Sequence, residues 1–474
     1  MKRLSITLLV LLTGCASYTA KPLDPGQQQA ALEARRLDAP EVRQFIEHNL
    51  ERKISPWPPS SWNTTTLTLA AFYYHPDLDV ARARLAVAEA GKTTAAEIPN
   101  PSLGLSSQYN TDAPKDESPW TLGYNFGIPI ETAGKRGYRV EQAQHLSEAQ
   151  RLGLATTVWN VRTRLRSRLV EHLLAIRNLE AISAEEALRA ENVRLLETRF
   201  SLGDVPTQDV DVARIALNQT AMQVRVAEGR IHESRVLLAD AIGIPVSALA
   251  GKEVTHAGLD SPTPFVEIPA EVVRSEALHN RLDIRRSLAE YAASDTALKL
   301  EIAKQYPDLR LGPGYTWDAG TVKWSLPLSF ILPIFNQNQG AIAEATARRE
   351  LAAENFSALQ TAVVAQVDGA LARYRAADQE YEAAGNLVGR VEGRLRDMGE
   401  LFAAGEVDRS AVVGAQVEAA VARRARNDAL LKAQAALGAL EDAVQKPLGG
   451  EPAPLPAVRA NPRQEITEKE NNRP

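Results

Sequence analysis

The chain has 474 residues, 24% of them charged, and a formal net charge of −5. That length allows more than one ordinary domain, and the slightly acidic balance leaves no electrostatic footprint for nucleic acid. No stretch of 18 apolar residues occurs beyond the extreme N-terminus, which excludes a bundle of transmembrane helices.

The first elements read as export signals. Lys2 and Arg3 form a positive end ahead of an apolar run from Leu4 to Leu12. This run is too short to span a bilayer and predicts a signal peptide over 1–14. Leu12-Thr13-Gly14-Cys15 is similar to a bacterial lipobox, which predicts cleavage before Cys15 and acylation of its thiol. Removal of Lys2 and Arg3 takes the formal charge from −5 to −7. Cys15 is the single cysteine, so no disulfide forms within one chain. Ala16 and Ser17 resemble the residues that follow the cysteine in lipoproteins sent to the outer membrane. The lipidated extension 15–63 is polar, carries Pro56, Pro58 and Pro59, and is expected to run over the surface.

From residue 64 the chain reads as two fused half-proteins, 64–243 and 270–446. His75-Pro76-Asp77-Leu78 opens an Ala-rich helix that ends near Pro99, and Asn280-Arg281-Leu282-Asp283 opens its counterpart, which ends near Pro307. Ile128-Pro129-Ile130 matches Leu332-Pro333-Ile334, and the turn around Gly203 matches the turn around Gly405. The offsets 307 − 99 = 208, 333 − 129 = 204 and 405 − 203 = 202 are nearly constant. Such a period is far longer than a solenoid repeat.

After each Ala-rich helix come two stretches in which apolar residues occupy every second position. In the first half these are Leu103-Leu105-(Ser107)-Tyr109 and Trp120-Leu122-Tyr124-Phe126-Ile128-Ile130. In the second they are Leu309-Leu311-(Pro313)-Tyr315-Trp317 and Val322-Trp324-Leu326-Leu328-Phe330-Leu332. A period of two places each apolar set on one face of a strand. Strands of about ten residues, apolar outside and polar inside, mark a transmembrane β-barrel. Four strands cannot close a barrel, and an open edge in lipid would leave backbone groups unpaired. Several copies must therefore share the spanning unit. The connecting loops are polar, long at Thr111–Ser118 and tight at Asp318-Ala319-Gly320.

Each half then carries one very long helix, because no proline occurs from Pro129 to Pro206 or from Pro333 to Pro447. Gly203 and Gly405 stand where C-cap glycines end such helices. The returning helix repeats every seven residues at Val210, Leu217, Val224, Ile231 and Leu238, which implies supercoiling against a partner. The segment 244–269 is a Pro-rich linker between the halves, and 447–474, proline-rich and charged, is expected to be disordered.

Catalytic chemistry is not legible. The seven histidines are scattered with no cysteine partner, and neither a phosphate-binding loop nor a nucleophile elbow occurs. We therefore expect no enzyme activity, no metal site and no cofactor beyond a lipid on Cys15.

In their order and duplication, "HPDL" at 75–78, "IPNPSL" at 98–103, "NFGIPI" at 125–130, "FSLGDVPTQDV" at 200–210 and "LSFILPIF" at 328–335 resemble the TolC-like outer-membrane efflux protein family over residues 64–446. The resemblance implies an α+β membrane protein. In it, a homotrimer builds a 12-stranded β-barrel, four strands per chain, continued by a long periplasmic α-helical barrel. It also implies a location in the outer membrane of a Gram-negative bacterium. The partners implied are outer-membrane lipid, a periplasmic adaptor protein and an inner-membrane pump of the resistance-nodulation-division type, with no nucleic acid. "IETAGKR" at 130–136 is similar to the heavy-metal branch, while drug or solvent efflux accounts for other branches. The function implied is a passive exit duct of a tripartite efflux system. The exit duct of a type I protein secretion system and a lipid-anchored non-channel periplasmic scaffold are the alternatives. By resemblance, charged residues near the Gly turns gate the periplasmic entrance. The candidates are Asp209, Asp211, Glu406, Asp408 and Arg409, with Asp209 and Arg409 as the expected inter-helix pair. Acidic residues that the family often carries beyond the second glycine are replaced by Ala411 and Gly414, a departure from a simple acidic ring.

Overall fold

The structure is a computed structural model that describes residues 18–256, 258–262 and 270–448. The signal segment, Cys15 and the tail 449–474 lie outside the described residues. Helices α1 (Pro25–Glu33) and α2 (Pro40–Leu50) and strand β1 (Ser61–Trp62) precede the first half. That half comprises α3 (Thr64–Tyr74), α4 (Pro76–Ala96), β2 (Ser102–Tyr109), β3 (Trp120–Ile130), α5 (Lys135–Ser201) and α6 (Thr207–Ile242). Strand β4 (Glu253–Val254) lies in the linker. The second half comprises α7 (Ala270–Asn280), α8 (Leu282–Ala303), β5 (Leu309–Leu311), β6 (Gly314–Asp318), β7 (Thr321–Ser325), β8 (Leu328–Phe330), α9 (Gln339–Ala403) and α10 (Arg409–Val444).

The duplication is reproduced element by element. The long helices have 67 and 65 residues and the returning helices 36 each. At 1.5 Å per residue the former are roughly 100 Å long. Helices of that length depend on neighbours, and α5 packs on α4, α6, α8 and α10. In the half nearer the turns the order is α6–α5–α10–α9, and in the half nearer the sheet α4–α5–α8–α9. Along α6 the buried positions Val210, Ala213, Thr220, Val224, Ala227, Ser234 and Leu238 keep the predicted seven-residue seam against α5.

The strands form one antiparallel sheet in the order β2, β3, β5/β6, β7/β8. Residues directly opposite share a face. The pairs Leu105–Tyr124, Tyr124–Tyr315 and Tyr315–Trp324 therefore run an apolar row across the whole sheet, and Ser106–Gly123, Gly123–Thr316 and Thr316–Lys323 run a polar row beside it. Tyr124 stacks on Tyr315 at 5.5 Å between ring centroids, and Tyr315 meets Trp324 edge-on at 5.1 Å. The expected strands of the second hairpin are each split. Pro313 and Pro327 lack the N–H that a ladder needs. Gly312 N donates to Pro327 O at 2.8 Å and Phe126 N to Pro313 O at 2.9 Å, which keeps the sheet bonded through the break.

The N-terminal extension corrects an expectation. It does not merely run over the surface: Leu37, Val42, Ile46 and Trp62 are all buried in the largest apolar cluster, with Leu69 and Phe72 of α3, Leu165 and Leu169 of α5, and Leu238 and Ile242 of α6. Val42 and Ile46 are four residues apart and so share one face of α2. Strand β1 pairs with β4 of the linker, in parallel, and the Arg35 guanidinium donates to Tyr74 O at 3.1 Å and Gly243 O at 2.6 Å.

Candidate functional site

The ends of the two helical hairpins are built alike. Gly203 and Gly405 have φ of +81° and +78°, a region glycine enters without strain. Asp204 N donates to Arg199 O, and Glu406 N to Leu401 O, each at 2.9 Å. These bonds close the last turns of α5 and α9 in the Schellman manner. Asp408 caps α10. Its carboxylate accepts from Ala411 N at 3.0 Å and from the Ser410 hydroxyl at 2.6 Å. Those bonds, with the nearby Arg199, hold its carboxyl below the ordinary range.

The expected pair between Asp209 and Arg409 does not form within the chain. The Arg409 guanidinium binds Glu191 of α5 at 2.8 Å, and Arg199 of α5 binds Asp408 at 3.0 Å. Asp209 sits exposed in the first turn of α6, and no ion pair among the described residues holds it. Asp211 lies 3.7 Å from Arg214, which binds Glu197 at 2.6 Å. Glu406 is exposed. The structure thus joins Asp408 and Arg409 to α5 and leaves Asp209, Asp211 and Glu406 out of that contact. The reason is helix order: α10 lies against α5, while α6 lies on the far side of α5.

Glu191 and Arg199 were missed because a helix surface rich in charge carries no local sign of its partner. They are two rungs of a ladder between antiparallel α5 and α10. Farther from the tip, Arg424 of α10 binds Glu185 of α5 at 3.1 Å and reaches across α5 to Gln223 of α6 at 2.9 Å, and Asn178 donates to Asp428 at 3.3 Å. Next, Arg166 donates to Gln434 at 2.7 Å. Arg162 and Arg166 then flank Glu441, each at 3.7 Å, and the Trp159 indole donates to Asp442 at 2.9 Å. The rungs dry out away from the tip. The Arg199 and Asp408 side chains are 40% and 54% exposed, those of Arg166 and Glu441 11% and 0%. Burial lowers the Arg162 pKa, opposed by Glu441, and raises that of Asp442.

The "IETAGKR" stretch forms a clasp where sheet and helices meet. The Lys135 ammonium donates to Tyr306 O at 2.6 Å and to Asp308 at 2.7 Å. Arg136 donates to Ala96 O at 2.7 Å, and Arg139 forks onto Glu131. These contacts tie the ends of α4 and β3 to the connection between α8 and β5. No helix among the described residues is long and apolar enough to cross a membrane, and none of their His, Cys, Asp and Glu gather in threes to hold a metal.

This architecture recurs in solved outer-membrane proteins. VceC of Vibrio cholerae superposes with a TM-score of 0.65 at 20% identity, over 81% of this chain and 96% of that one. In sequence, the cobalt-zinc-cadmium resistance protein CzcC of Cupriavidus metallidurans is 24% identical over 284 residues, 60% of this chain and 65% of CzcC. The pyoverdine export outer membrane protein OpmQ of Pseudomonas putida is 25% identical over 46% of each chain. The match therefore spans less than two thirds of either relative. The sequence profile of the family described as "Outer membrane efflux protein" matches residues 71–244 and 273–444, the two halves in turn. The chain belongs to the outer membrane efflux protein family.

Proposed function

We propose that three copies form an outer-membrane exit duct, which passively conducts substrates handed over by a periplasmic adaptor and an inner-membrane pump of the resistance-nodulation-division type. The observation that carries this reading is the sheet. It has one continuous apolar face, with Leu105 78% and Trp324 75% exposed in the single chain, a polar opposite face, and two unpaired edges. Lipid suits the first face, a watery lumen the second, and neighbouring copies the edges. The similarity to CzcC supports divalent metal cations as cargo. The clasp formed by "IETAGKR" gives that stretch a joining role, so it adds nothing to the choice of cargo. Cys15 is proposed to carry the lipid, and loss of palmitate labelling in Cys15→Ser tests that assignment.

The gate we propose consists of Arg199–Asp408 and Arg409–Glu191 at the tip. Planar-bilayer recording tests the duct. Purified protein should give discrete conductance steps and size as a trimer in detergent, and a particle that never conducts overturns the reading. Deletion of the gene should sensitise cells to cobalt, zinc or cadmium. Unchanged metal tolerance alongside new drug sensitivity would reassign the cargo.

A further inference from the structure

The polar face of the sheet holds few charges, and those few do not cancel. Among the described residues its strands carry three charged side chains: Arg310, Asp318 and Lys323. Register puts all three on the polar face. Asp318 stands opposite Thr121, Lys323 opposite Thr316, and Arg310 opposite Pro129 on one side and Ser329 on the other. Two of the three neutralise each other. The Lys323 ammonium donates to Asp318 at 2.7 Å, and the Thr121 hydroxyl donates to the other oxygen of that carboxylate at 2.7 Å.

Arg310 has no such partner. It is exposed, and no ion pair among the described residues holds it. It lies at the helix end of the sheet, just after the clasp, where both nearby carboxylates are already taken. Asp308 is bound by Lys135 at 2.7 Å and Glu131 by Arg139 at 3.0 Å. Beside it on the same face is Gly127, where an added Cβ would stand 3.5 Å from Arg310 Cδ. The guanidinium thus projects among small, neutral residues, with one positive charge per chain left over on this face.

We infer that Arg310, repeated by each copy at one level, forms a positive ring inside the periplasmic end of the barrel and makes this stretch an anion-preferring step of the duct. This rests on the trimeric duct proposed above and names its substrate class. Organic anions bearing carboxylate or phosphate groups pass the ring with favour. A bare divalent cation is repelled there, so metal cargo passes as a complex of net negative charge. Arginine stays charged at any working pH, and like charges around one lumen add. Rings of Arg or Lys set anion preference in pores, as lumen-facing residues do in barrels.

A thiol reads this field in full-length protein carrying Cys15→Ser, where no other thiol exists. Ser329→Cys places one directly across from Arg310. It is reacted, in the purified trimer, with two methanethiosulfonates of opposite charge, the sulfonatoethyl and the trimethylammonioethyl reagents. The ratio of anionic to cationic rate cancels any change in the thiol's own pKa. That ratio should be several-fold higher with Arg310 than with Arg310→Gln. The difference should shrink between about 0.1 M and about 1 M salt, as the Debye length falls from about 10 to about 3 Å. In bilayers under a KCl gradient, Arg310→Glu should move the reversal potential toward that of potassium. Equal rate ratios with and without Arg310, or an unmoved reversal potential, overturns the ring and leaves the duct standing. A Ser329→Cys thiol that reacts with neither reagent means that this face meets no water, and the duct reading falls with the ring.

Discussion

At the scale of single residues, charge pairs of the same chemistry differ in weight because they differ in exposure. Arg199–Asp408 and Arg409–Glu191 stand in water at the tip, where an ion pair contributes about 0–1 kcal/mol. Such contacts suit a latch that a partner must release. Glu441 is buried between Arg162 and Arg166, with its other oxygen accepting from Leu448 N at 2.9 Å. Removing it leaves the buried Arg162 guanidinium without its carboxylate, at a cost of about 3–5 kcal/mol. We expect Arg199→Ala with Arg409→Ala to raise resting conductance without moving the unfolding midpoint. Glu441→Ala should lower that midpoint sharply. Asp209→Ala should change neither, since no ion pair holds it within the chain. Equal conductance in the double variant and wild type would remove the gate assignment.

At the scale of elements, the linker is held against α5 and α6 by groups that resist protonation. His172 of α5 meets the Ser234 hydroxyl of α6 at 3.0 Å and the His256 ring at 5.9 Å between centroids. The Ser234 hydroxyl donates to Ile231 O at 3.0 Å, so in the neutral ring Nδ1–H of His172 donates to it. Burial, with His172 and Arg177 nearby and Asp260 opposing, pushes the His256 pKa down to about 4, from an ordinary value of 6.5. His172 is lowered by burial and by Arg235. A folded pKa below the unfolded one means that the unfolded chain binds the proton first. Stability from this contact is thus complete above about pH 6.5 and is lost as pH falls toward 4. Thermal unfolding at pH 7.5, 6 and 4.5 should show His256→Gln losing less stability on acidification than wild type. An equally steep loss in that variant would detach the effect from His256.

For the whole molecule, the N-terminal extension completes the largest apolar cluster, together with α3, α5 and α6. Trp62 is fully buried, meets Trp57 edge-on at 5.6 Å, and sits in the β1–β4 pair that joins the extension to the linker. Truncating a buried tryptophan costs about 3–5 kcal/mol. Trp62→Ala should lower the detergent unfolding midpoint well below that of Trp120→Ala, whose ring is 47% exposed on the sheet. Similar midpoints for the two variants would mean that the extension is a passenger rather than part of the core.

How much was legible from the chain alone depended on whether the signal was local. Alternation at Trp120–Ile130, the proline-free runs, and Gly203 and Gly405 each specify backbone geometry within a few residues. The strands, long helices, turns and duplication could therefore be read directly, and with them the need for several copies. Sparse signals were underread: Val42 and Ile46 share a helical face, but too few apolar neighbours surround them to announce a core. What could not be read was which charged faces meet. Glu191 and Arg409 are 218 residues apart. Their pairing depends on α10 lying against α5 with α6 beyond it, an order set by packing along the full length of the helices. Spacing along one helix fixes the face a residue occupies, and only the assembled bundle decides what that face touches.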